Sequence, residues 1–170
     1  GVFAFHRRNT AVASVIIGLT VLLYLPSLFN GFIWDDDSYV SDSGWSKSTT
    51  PLRSIWLSRT ETPQYYPLVF TLFLAGHKLW GAAPFGFHLV NLLLHIALLV
   101  LAVAGKLYPK AAFAAALLFA VHPIQVETVA WITEAKNLLG LFFFLLACRF
   151  FIVYDETGKH RDYALTLLFF

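Results

Sequence analysis

Between Ala11 and Leu28 the chain carries no charged side chain, and neither does it from Phe85 to Ala104. An apolar helix of about 20 residues is long enough to cross a bilayer. Inside lipid every backbone amide must find its partner within the protein, which leaves helices and closed barrels as the only spanning elements. Runs of this length and evenness fit the helix. They predict an all-α, polytopic transmembrane helical bundle. Composition agrees, because 58% of the residues are hydrophobic and only 13% charged, against about 25% charged in a soluble domain.

The rest of the chain reads in the same terms. Arg7 and Arg8 precede the first span, 11–28, which is longer than the apolar core of a signal peptide and carries no small-residue cleavage motif, so it reads as a retained helix. An external loop, 31–84, follows, polar and rich in turn residues up to Tyr66. Its segment 68–80 is apolar but too short to cross, and is expected to lie in the interface. The second span is 85–104, opened by Pro84 at a favoured helix start. Segment 111–121 is short, and 138–154 is a further span with Arg149 close enough to its end to snorkel. A polar turn, 155–162, precedes 163–170, an apolar run that stops short of a full span. The single transmembrane domain, 1–170, therefore reads as the N-terminal part of a longer protein, incomplete at its C-terminus. The sequence holds no Met.

Charge decides the doubtful segment. If 111–121 crosses, then Arg7, Arg8, Lys106, Lys110, Arg149, Lys159 and Arg161 share one side, the cytoplasmic one by the positive-inside rule, together with the N-terminus. Trp34, Trp45, Trp56, Trp80 and Trp131 then fall on the opposite face. The membrane is expected to be a bacterial inner membrane, with the endoplasmic reticulum as the alternative. A formal net charge of +2 gives no electrostatic case for nucleic acid. The lone Cys148 sits in an apolar run and forms no internal disulfide.

Two acidic segments emerge on that opposite face. Asp35, Asp36 and Asp37 follow Trp34, and adjacent carboxylates raise one another's pKa, so one of them suits a general base. They equally suit a divalent cation, for which Asp37 is the candidate ligand; no other cofactor is expected from these carboxylates. A solvated helix cap is the bland reading. In the second segment Glu127 and Glu134 lie seven apart and would share a helix face with Trp131. His122-Pro123 marks a helix boundary, and Lys136 is a partner for a carboxylate or a phosphate. His88, Asn91 and His95 form a polar stripe on the second span. Hydrogen bonding to neighbouring helices is its expected use, with His88 near enough to the boundary to line the acidic site.

In order along the chain stand Phe32-Ile33-Trp34-Asp35-Asp36-Asp37, Tyr65-Tyr66-Pro67-Leu68, 84–95 (PFGFHLVNLLLH) and 122–131 (HPIQVETVAW). The set resembles the N-terminal membrane region of the transmembrane and tetratricopeptide-repeat proteins, GT-C glycosyltransferases that include protein O-mannosyltransferases. The likeness covers most of residues 10–150. It implies a polyprenyl-phosphate sugar as donor and a hydroxyl acceptor, protein Ser or Thr, glycosylated at the external face. It also implies a catalytic base at Asp35 or Asp36. Glu127, Glu134, Lys136, His88 and His122 are then expected to bind substrate. Asn137 stands where an Asp is frequent in the family. The repeats and most of the bundle lie outside these 170 residues, so the chain by itself is expected to be inactive. The alternative is a non-catalytic transmembrane subunit or scaffold of a larger membrane complex, its partners being lipid and neighbouring helices.

Overall fold

The structure, a computed structural model, describes the backbone of residues 2–103 and 109–170, and the side chains of residues 10–103 and 111–170. Its described residues are mostly helical and form no strand. The first helix, α1 (Val2–Tyr24), continues through a 3-10 turn, Leu25–Phe29, where Pro26 cannot extend the α-helical ladder. Four helices follow in the loop: α2 (Asp36–Val40), α3 (Gly44–Lys47), α4 (Pro51–Leu57) and α5 (Pro67–Trp80). Then come α6 (Pro84–Val103), α7 (Pro109–Val121) and α8 (Gln125–Ala130). A second 3-10 turn, Ile132–Glu134, leads into α9 (Ala135–Thr157) and α10 (His160–Phe169).

Proline opens α4, α5, α6 and α7, where its fixed φ suits the helix and its missing N–H costs nothing. Glycine closes α5 and α9: Gly81 and Gly158 have φ of 62° and 66°, a region that side chains resist. The second of these stops carries α9 past 154, through Asp155 and Glu156, so the polar turn is shorter than expected. The helix α10 starts at His160, and its Asp162 is buried against Arg161 and Thr157.

Three helices are long and apolar enough to cross a bilayer, over Thr10–Phe29, Pro84–Val103 and Ile132–Thr157, which marks an integral membrane protein. Ala111–Val121 is apolar but shorter. Aromatic contacts give the register of the first pair: Phe29 meets Phe85, Tyr24 meets His95, and Ile16 packs with Leu99, so α1 and α6 run antiparallel. Phe119 of α7 stacks on His95 at 5.0 Å, which brings the Val121 end of α7 level with the Phe29 end of α1. Of the basic residues that set the expected orientation, Arg7, Arg8, Lys106 and Lys110 lie outside the described side chains.

The loop differs from expectation. Segment 31–66 is not an open polar connection but part of a small folded unit. Tyr39, Val40, Trp45 and Ile55 join Val69, Phe70 and Phe73 of α5, Phe87 of α6, and Ile132 and Ala135 in one core. Trp45 is fully buried, and its indole donates to the Tyr39 carbonyl at 3.1 Å, so it anchors protein rather than a membrane interface. This unit caps the end of the bundle at which Phe29, Pro84, Val121 and Ala135 converge.

Candidate active site at one end of the bundle

The acidic loop is shaped by one tight turn. The Asp36 N–H donates to the Ile33 carbonyl at 3.1 Å, and the Ile33 N–H donates to Asp36 Oδ2 at 3.0 Å. Those two bonds leave Trp34 and Asp35 at the tip. Trp34 has a φ of 50°, the one positive value outside glycine among the described residues. A bulky residue there is strained by about 1–3 kcal/mol and persists only where its surroundings enforce it.

The second segment breaks where a continuous helix was expected. Trp131 is extended, at φ −93° and ψ 119°, between α8 and the following 3-10 turn. Glu127 and Glu134 therefore do not share a helix face. Asn91 of α6 holds the break open, its side-chain amide donating to the Trp131 carbonyl at 2.8 Å. Beyond the break the Glu134 amide returns to the Trp131 carbonyl, while the Thr133 amide bonds outside its own segment. Thr133 gives its N–H to Asp36 Oδ1 at 3.1 Å and its hydroxyl to Asp35 Oδ1 at 3.3 Å. Residues nearly a hundred positions apart are joined in this way.

The two carboxylates differ in kind. Asp36 is 0% exposed and both its oxygens are taken by backbone amides. Burial pushes its carboxyl above the usual carboxylate range; the amides of Ile33 and Thr133 pull it back, and the neighbouring Asp35 charge pushes it up again. Asp35 is half-buried, stands at the N-cap position of α2 with no side-chain capping bond, and keeps one oxygen free of any hydrogen bond among the described residues. Tyr39, one helical turn on, has its hydroxyl pushed up by burial and then by the charges of Asp35, Tyr66 and Glu134. It sits between the two acidic segments.

Glu134 is buried and pairs with Lys136 Nζ at 2.6 Å and with the Asn137 amide. The same ammonium lies 5.4 Å over the Trp131 ring. One turn further along α9 an open apolar groove of about 550 Å³ begins, lined by Leu68, Gly140, Phe143, Phe144 and Leu168.

Of the residues singled out in the sequence, Asp35, Asp36, Glu134 and Lys136 converge. Asp37 is exposed, its carboxylate making no hydrogen bond or ion pair among the described residues. Among those residues no three His, Cys, Asp or Glu side chains are placed to hold a metal ion. Glu127 is exposed on α8, and His122 is exposed with Nδ1 accepting the Ile124 N–H at 3.2 Å, a bond that shapes the turn. His88 is fully buried beneath the loop, against the backbone of Asn30, Gly31 and Ala130. His95 lies deeper, between Tyr24 and Phe119. Thr133 and Tyr39 were not singled out in the sequence. The spacing of Tyr39 four residues after Asp35 was a signal for it; nothing in the sequence distinguishes Thr133.

Curated proteins resemble this chain over most of its length. Human protein O-mannosyl-transferase TMTC4 is 31% identical over 92% of the chain, human TMTC3 32% over 82%, and human TMTC1 33% over 85%. The chain spans about a quarter of TMTC4 and less of the other two, 25%, 16% and 18% of their lengths in that order. No family model matches the chain, and no solved structure does.

Proposed function

We propose that this chain, homologous over most of its length to the protein O-mannosyl-transferases, forms the membrane region of a glycosyltransferase that moves a mannosyl group onto a protein hydroxyl. The donor is a polyprenyl-phosphate sugar, and the site faces the side of the membrane away from the cytoplasm. Asp35 is the base. It takes the proton of the acceptor hydroxyl as that oxygen bonds to the anomeric carbon. The bond from that carbon to the phosphate oxygen breaks, and polyprenyl phosphate leaves with the electron pair. Lys136 offsets the charge growing on the phosphate, with Glu134 holding its ammonium in place. The groove beside Gly140 takes the apolar chain of the donor.

The contrast between the two aspartates carries this reading. Asp36 is sealed and spends both oxygens on the fold, whereas Asp35 is accessible and is oriented by the Thr133 hydroxyl through one oxygen, leaving the other for a proton. The test is reconstitution of the full-length protein in liposomes with polyprenyl-phosphate mannose carrying a labelled sugar and a Ser/Thr-rich polypeptide. Label is expected on the polypeptide, in O-glycosidic linkage to Ser or Thr. Folded protein that leaves all label on the lipid would refute the proposal.

A further inference from the structure

The turn that presents Asp35 also presents Trp34, and the proposed chemistry uses only the first. Trp34 is 75% exposed. Its ring meets Trp131 edge to face, the centroids 4.5 Å apart and the planes at 79°. Trp131 is itself held: its carbonyl accepts the Asn91 amide, and the Lys136 ammonium lies 5.4 Å over its ring. The backbone at Trp34 is strained, and the Ile33–Asp36 bonds on either side maintain the strain. An interfacial tryptophan that only anchors a protein in headgroups needs none of this, since its ring works in many orientations. An indole held rigid, open to solvent and next to a free carboxylate oxygen needs a ligand with two characters.

A pyranose has both. One of its faces is made of C–H bonds, which the negative face of an indole attracts, and its anomeric carbon is the atom beside which a proton-accepting carboxylate is needed. We infer that Trp34, braced by Trp131, is the stacking platform for the sugar ring of the donor, so that it binds and orients the glycosyl group beside Asp35. The inference rests on the proposed transfer for the identity of the sugar, but the platform itself follows from the Trp34 geometry. Trp34 acts on sugar binding and Asp35 on the chemical step.

The experiment uses the full-length protein in liposomes, with Trp34→Phe and Trp34→Leu beside the unaltered chain. Loss of the stacking surface in Trp34→Leu should raise KM for polyprenyl-phosphate mannose roughly three- to tenfold with kcat little changed, and Trp34→Phe should recover most of the loss. Independently of turnover, polyprenyl-phosphate mannose should change the indole emission of the unaltered chain, and polyprenyl phosphate without sugar should not; in Trp34→Phe the change should disappear. Should Trp34→Leu fail to fold, the emission of Trp34→Phe decides alone. An unchanged KM in Trp34→Leu, or equal emission changes with the sugarless lipid, overturns the platform. If Asp35→Asn abolishes transfer while Trp34→Leu is indifferent, the platform falls and the base assignment stands. If Asp35→Asn transfers normally while Trp34 still senses the sugar, the base assignment falls and the platform stands.

Discussion

Replacing Asp36 by alanine should unfold this end of the protein rather than merely silence it. The carboxylate is fully buried and accepts two backbone amides, from Ile33 at 3.0 Å and Thr133 at 3.1 Å. Alanine leaves the buried Thr133 donor without an acceptor, at about 1–3 kcal/mol, and the part-buried Ile33 donor at about 1 kcal/mol, a gross loss of about 2–4 kcal/mol. Removing a charge that burial disfavours returns part of this, leaving a net loss of about 1–3 kcal/mol. Asparagine keeps one acceptor and should cost less. The comparison that matters is with Asp35→Ala, which loses one 3.3 Å bond from the Thr133 hydroxyl at a half-exposed site and should cost about 1 kcal/mol or less. Thermal unfolding of the full-length variants in detergent, followed by the fraction remaining monodisperse, separates them. Asp36→Ala unchanged, or Asp35→Ala the weaker of the two, would refute the division of labour between these aspartates.

The raised carboxyl of Asp36 gives a pH signature. The unfolded chain loses this proton near 3.8 and the folded chain only at higher pH, so between those values the folded state binds more protons. Stability from this group is therefore greatest below 3.8 and falls as pH rises through the folded value; the difference between the pH–stability curves of the unaltered protein and Asp36→Asn should show this slope, and parallel curves would contradict it. Asn91→Leu removes the amide that holds the Trp131 carbonyl at 2.8 Å, and should lower stability by about 1 kcal/mol in a thermal melt; no loss would mean that the break at Trp131 sustains itself. Gly76→Val should cost about 1–3 kcal/mol, because even a Cβ there would sit 2.9 Å from Cε1 of the buried Phe87; a melt at or above that of the unaltered protein would mean that α5 and α6 are more loosely packed than described.

The spans were legible because hydropathy over some twenty residues is a strong signal, and α1 and α6 fall where the apolar runs placed them. Convergence of the acidic segments was legible too, since consecutive crossings return the chain to the same end. The interior of the loop was not. Tyr39, Val40, Trp45 and Ile55 follow neither a 3.6- nor a 2-residue period, because each short helix contributes only one or two side chains to the core. Nor did the break at Trp131 announce itself: no glycine or proline stands there, and the side chain that bonds its carbonyl, Asn91, lies forty residues upstream. The difference between Asp35 and Asp36 is likewise tertiary. Two identical residues side by side are told apart by burial and by the amides of Ile33 and Thr133, the second nearly a hundred positions away, that one of them accepts.

The central claim is that Asp35 takes the acceptor proton. Its most direct test is kcat for mannosyl transfer by the full-length Asp35→Asn protein, read on material whose melting temperature matches that of the unaltered chain. A positioned general base contributes about 10²- to 10⁴-fold, so kcat should fall by that factor while KM for the lipid donor holds within about twofold. A kcat within about threefold of the unaltered protein would place the base elsewhere and contradict the account.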